Sequence, residues 1–204
     1  MKVGKIMELF TLEQLVTLLD AQDELNKKYS GENWRKDIPL DSFLIAVQTE
    51  VSEFYESAPR LSNWKWWRKD LKNDNQNMII ESIDVLHFAL SVLMINLSKE
   101  DILNETKLIK ETDAYIEGTS PEILKSMNLF FSDNIEGFYN DSVFSFYFLI
   151  NSLAKSCNRT LPQIYDGYFK KNKLNQTRVA KGYQEGNYSK YNENGDEDNK
   201  ALEV

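Results

Sequence analysis

The stretch Met78-Ile-Ile-Glu81-Ser-Ile-Asp84-Val-Leu-His87-Phe88-Ala-Leu-Ser-Val-Leu-Met-Ile-Asn-Leu97 decides the fold. It predicts a strong helix, apolar over most of its length, with no Gly or Pro to break it. Two acids, Glu81 and Asp84, stand three apart between Ile80, Ile83, Val85 and Phe88. That spacing puts them on one face, about 5–6 Å apart at Cβ. Acids so close to a face that should bury call for an explanation.

A second pair answers the first. Glu50 and Glu53 sit three apart between Val47, Val51 and Phe54, in a helix expected from about Asp41 to Ser57. Four carboxylates converging in a bundle core repel one another unless a cation neutralises them. All-oxygen ligation suits Mg²⁺ or Mn²⁺, and Mg²⁺ keeps open positions for water and phosphoryl oxygens. The plainer alternative is that acids at this spacing are commonplace on solvated helix faces. Glu56 extends the first acidic face. His87, three residues after Asp84, reads either as a core or supporting group or as a ligand.

Helical spacing continues outward in both directions. Leu12, Leu15, Leu18, Leu19 and Leu25 follow a Thr11-x-x-Gln14 capping box. Lys99 to about Thr112 is amphipathic. Ser120-Pro121-Glu122 predicts a helix start with Ser120 as N-cap. Asp141 opens a helix through Cys157, and Thr160 opens the last one. Few segments alternate with period two, so the fold class is all-α. Residues 1–112 are expected to form the core carrying the acids, 113–160 a helical elaboration, 161–188 a closing segment of the same domain, and 189–204 a disordered acidic tail.

Composition narrows the chemistry. The chain has 204 residues, one Cys and one His, which excludes a disulfide framework, a Cys-based zinc site and any site needing two imidazoles. The apolar runs near Phe88–Leu97 and Val143–Ala154 fall short of the roughly 20 residues of a membrane span. No secretory signal is evident. A cytoplasmic protein with no membrane and no nucleic-acid partner is expected, since the net charge is −8. The charge is uneven, however. From Arg159 to Tyr183 the net is +5, and from Gln184 to Val204 it is −4.

That basic island carries Lys171, Asn175 and Arg178 at steps of four and three, one cationic face that suits phosphates or simply meets solvent. Trp64, Trp66 and Trp67 either fill the core beneath a loop or stack on something flat, for which a nucleobase would serve. Gln22 and Asn26, four apart, either pair in the core or read the edges of a base.

Taken together these residues resemble the dimeric all-α dUTPase family, part of the all-α nucleoside triphosphate pyrophosphohydrolase superfamily that includes MazG-like enzymes. The matching segments are Gln22-Asp-Glu-Leu-Asn26, Glu50-Val-Ser-Glu53, Lys65-Trp-Trp67, Glu81-Ser-Ile-Asp84-Val-Leu-His87-Phe88 and Tyr168-x-x-Lys171-x-x-x-Asn175-x-x-Arg178-x-x-x-Gly182-Tyr183. The paired acids mark the superfamily, and the other motifs mark the dUTPase branch. Val179 stands where the family tends to have Gln, and Tyr55-Glu56 where it often has Asn.

The resemblance implies a helical bundle with an insertion that hydrolyses dUTP, and dUDP, at the α-phosphorus to give dUMP. It implies two or more Mg²⁺ on Glu50, Glu53, Glu81 and Asp84, with Glu50 taking the proton from water. It places Gln22, Asn26 and Trp64 or Trp67 at uracil. His87 and Phe88 would lie at the deoxyribose, with Phe88 excluding a 2′-hydroxyl, and Lys171, Asn175, Arg178 and Tyr183 would close over the phosphates. It also implies a homodimer whose sites draw on both subunits. Two rivals share the scaffold: a house-cleaning enzyme for another nucleotide such as dCTP, and a non-enzymatic interaction protein.

Overall fold

A computed structural model describes residues 5–61, 63–109, 115–135, 139–195 and 197–202. Among them are eight α-helices: α1 (Leu12–Ser30), α2 (Trp34–Asp37), α3 (Leu40–Ser57), α4 (Asn75–Asn96), α5 (Lys99–Ile109), α6 (Ser120–Ile135), α7 (Tyr139–Ser156) and α8 (Leu161–Ala180). A two-residue antiparallel pairing of Lys5–Ile6 with Tyr115–Ile116 is the only sheet among the described residues. The fold is all-α.

Local chemistry sets the ends of the helices. Thr11 Oγ1 accepts from the Gln14 N–H at 3.1 Å, and Gln14 Oε1 accepts from the Thr11 N–H at 3.0 Å, so two orphan donors of α1 are met at once. Gly31, at φ 83°, ends that helix. Asp74 caps α4 through the Asn77 N–H at 3.0 Å, which starts the helix three residues before the expected Met78. At α6 the expected cap is corrected. Ser120 is already helical, and the Glu122 carboxylate turns back to accept from the Thr119 and Glu117 N–H groups at 3.2 and 2.9 Å.

α4 is the axis of the bundle. Fifteen of its residues are buried, from Met78 to Met94. It packs on α3, α8, α7 and α1. Contrary to the sequence reading, α4 is long and apolar enough to cross a membrane, with a mean hydropathy of 1.9 over an 18-residue window. Here 83% of that window is buried inside the protein, covered by the neighbouring helices.

The segment expected as an elaboration contributes to the same core. Val143, Phe146, Tyr147, Leu149, Ile150 and Leu153 of α7 are fully or almost fully buried in one continuous apolar cluster with α4. Asp113, the expected boundary, lies outside the described residues. The expected disordered tail also reads differently. A 3₁₀ turn at Asp198–Ala201 carries a buried Asn199 against α8.

Candidate functional site

α3 and α4 pack against each other, and each brings its acidic pair to the shared face. Carboxylate oxygens of Glu50, Glu53 and Glu81 lie within 4.8 Å of one another. Glu81 is only 6% exposed. Burial, with the charges of Asp84, Glu81 and Glu53, pushes the Glu50 carboxyl up to about 9, so Glu50 keeps a proton at neutral pH and shares it with Glu81. Burial, with Asp84 and Glu53, raises Glu81 to about 7. Asn77 holds Glu81 in place, donating from Nδ2 to Oε1 at 2.8 Å and to Ser57 Oγ at 2.6 Å.

Asp84 stands apart from this trio. Its carboxylate accepts from Lys171 Nζ at 2.6 Å, and the Lys171 side chain is almost fully buried. Burial pushes the Asp84 carboxyl up, while Lys171 and Arg178 pull it back toward the ionised form. The expected set of four converging acids is therefore three acids plus a buried ion pair. The trio fits a hard divalent cation: three carboxylates in reach of one point, with burial and mutual repulsion raising both Glu50 and Glu81.

The acids line a cavity of about 410 Å³. Lys171, Asn175 and Arg178 from α8, and Tyr183 beyond it, line the same cavity. So do two amides from α1. Gln22 Nε2 donates to Asn26 Oδ1 at 2.9 Å, and both amides donate to Ser91 Oγ, at 3.2 and 2.9 Å. Tyr168 OH fixes the other end of Gln22, donating to Oε1 at 2.9 Å. These bonds orient the two side chains from α1 and leave acceptor and donor edges near the cavity.

His87 and Phe88 also line the cavity. Tyr168 stacks on the His87 ring at 4.2 Å, with 26° between the planes. Burial holds the imidazole pKa down to about 3, so it stays neutral. Its Nδ1 lies 2.9 Å from the Ile83 carbonyl, which only accepts, so the proton sits on Nδ1. Nε2 is then a bare acceptor with no partner among the described residues.

Of the predicted site residues, Trp64 and Trp67 are not brought to this cavity. Trp64 Nε1 donates to the Tyr55 carbonyl at 3.0 Å, and the two rings meet edge to face at 6.0 Å. Trp66 and Trp67 are 75% and 58% exposed. Several residues that line or brace the site went unnoticed in the sequence. Asn77 precedes Glu81 by one helical turn, and Ser91 follows His87 by one, so both were legible from spacing alone. Nothing in the local sequence announced Asn199, which sits between Lys171 and Arg178.

A helical bundle that gathers clustered carboxylates, a Lys–Arg pair and two amides around one cavity has the donors and acceptors to suit a phosphorylated, base-bearing ligand. A family model described as dUTPase matches residues 14–183. That is more than half of the chain, and the chain belongs to the dUTPase family. It is accordingly an enzyme of the dUTP diphosphatase type, in a family that generally depends on a metal. No curated protein matches it.

Proposed function

We propose that this enzyme hydrolyses dUTP, and dUDP, at the α-phosphorus, releasing dUMP, with Mg²⁺ held by Glu50, Glu53 and Glu81. The observation that carries the reading is one cavity lined both by the acids and by Lys171 and Arg178. A divalent ion bound to the acids would supply Lewis acidity toward phosphate oxygens and lower the pKa of a coordinated water. Asp84 accepts from Lys171 through Oδ2, so its Oδ1 would be the oxygen offered to the ion.

The chain's own residues supply the rest. Lys171, Asn175, Arg178 and Tyr183 offer donors to the outer phosphates. Glu50, whose raised pKa in the metal-free site comes from burial and the neighbouring acids, would give up its proton once a divalent ion is bound and then accept the proton of the attacking water. Gln22 and Asn26, locked by Ser91 and Tyr168, read the uracil edge. The bare Nε2 of His87 accepts from a sugar hydroxyl, and the Phe88 ring beside it leaves no room for a 2′-hydroxyl. A homodimer is part of this reading: the exposed Trp66 and Trp67 give a second copy apolar surface to cover, and Trp64 and Trp67 would reach uracil only across that contact.

Hydrolysis in ¹⁸O-enriched water tests the reaction. Attack at the α-phosphorus puts the label in dUMP. Label in pyrophosphate would place attack at the β-phosphorus and overturn the assignment.

A further inference from the structure

Lys171 and Arg178 are already engaged by the protein itself. Gly182, at φ 77°, turns the chain off the end of α8. The chain then runs out and returns, with the Asp198 N–H donating to the Lys190 carbonyl at 2.9 Å and Lys190 Nζ paired with Glu197 at 2.6 Å. Its far end is clipped to α4, where the Gln76 amide donates to the Lys200 and Leu202 carbonyls at 3.1 and 2.9 Å.

This course sets the Asp198 carboxylate side-on against Arg178, which donates from both Nη2 and Nε, the latter at 3.2 Å. Tyr188 OH donates to the same carboxylate at 2.8 Å. Asn199 Oδ1 accepts from Lys171 Nζ and Arg178 Nη2, each at 2.9 Å. Two-point contact on one edge of a guanidinium is how Arg takes a phosphate. Those N–H groups cannot serve a carboxylate and a phosphate together.

We propose that residues 188–195 and 197–202 form an autoinhibitory strap, whose Asp198 occupies the place of a substrate phosphate and must leave for a triphosphate to bind. The proposal rests on Lys171 and Arg178 being the phosphate-binding groups. The strap is suited to leaving. Residues 184–187 and 191–195 are exposed, and Asn199 is its one buried residue among those described. Few apolar contacts oppose its opening. A strap closed nine-tenths of the time weakens apparent affinity about tenfold.

The test uses two full-length variants. Asp198→Asn removes the competing charge, and Gln76→Ala loosens the clip without touching Lys171 or Arg178. Metal-free titration with sodium tripolyphosphate should show tighter binding, by about fivefold to tenfold for Asp198→Asn and less for Gln76→Ala. KM for dUTP should fall by a similar factor with kcat unchanged. Unchanged or weaker affinity in both variants, or a lower melting temperature as the sole effect, overturns the strap. Tighter tripolyphosphate binding without dUTP turnover in any form would keep the strap and reject the substrate. Turnover of dUTP with affinities unmoved would do the reverse.

Discussion

Lys171 donates to Asp84 at 2.6 Å from a side chain almost fully withdrawn from solvent, so two acids three residues apart on α4 have opposite partners. Asp84 faces a cation of the protein, whereas Glu81 faces two other acids. Their conservative variants should therefore move stability in opposite directions. Glu81→Gln relieves repulsion and should raise the metal-free melting temperature. Asp84→Asn weakens the ion pair and should lower it. Lys171→Met, which strands a buried carboxylate, should cost about 3–5 kcal/mol in urea unfolding, and Asp84→Asn in the same chain should recover most of that. Equal shifts for Glu81→Gln and Asp84→Asn would mean that the four acids act as one set.

The acidic trio also fixes a pH dependence. A carboxyl titrates near 4.5 when unfolded, but Glu81 near 7 and Glu50 near 9 in the fold. Between those values the native state holds more protons than the unfolded chain, so stability falls as pH rises. Without metal, the melting temperature should drop between pH 5 and 9, on the order of 5–10 °C. Millimolar Mg²⁺ should flatten the drop, because binding to the native state alone adds stability. Glu50→Gln should flatten it too and abolish turnover. A melting curve indifferent to pH across that range would mean that the acids do not face one another.

Ser91 braces the two cavity amides, accepting from Gln22 and Asn26 and donating to the His87 carbonyl at 3.1 Å. Ser91→Ala leaves buried amide donors unmet and should cost about 1–3 kcal/mol in unfolding. With the amides loosened, KM for dUTP should rise about tenfold, and the preference for uracil over cytosine should narrow. Thermal denaturation and steady-state kinetics on both nucleotides check the two effects. A normal KM and preference would place base recognition elsewhere.

These expectations show where sequence reading reaches and where it stops. The Met78–Leu97 helix, both acidic pairs, the capping box at Thr11 and the helix start at Thr160 are legible, because each is a local pattern set by helical spacing. Cavity residues Gln22, Asn26, His87, Phe88 and Lys171 were found through motifs at fixed offsets, and the fold brings them to one place. The partnership of Lys171 with Asp84 was not, since it joins positions 87 residues apart and neither local pattern names the other. The same holds for Asp198 and Asn199. An acidic, Asn-rich segment reads as unable to bury itself, and it is anchored here by bonds to charged residues of α8 instead of by apolar contact. Ring chemistry leaves Trp64 and Trp67 as either core fillers or base-stacking groups, and the resemblance places one of them at uracil; in one chain their rings pack on each other outside the cavity.

The central claim is that this cavity turns over a deoxyuridine triphosphate with help from a divalent ion. Pyrophosphate release from dUTP, dTTP, dCTP and UTP, each with and without Mg²⁺, measures it directly. Release from dUTP should exceed the other three by at least about a hundredfold and vanish when the metal is chelated. A preference for dCTP, or equal release from all four, would contradict the account, as would dUTP turnover that survives chelation.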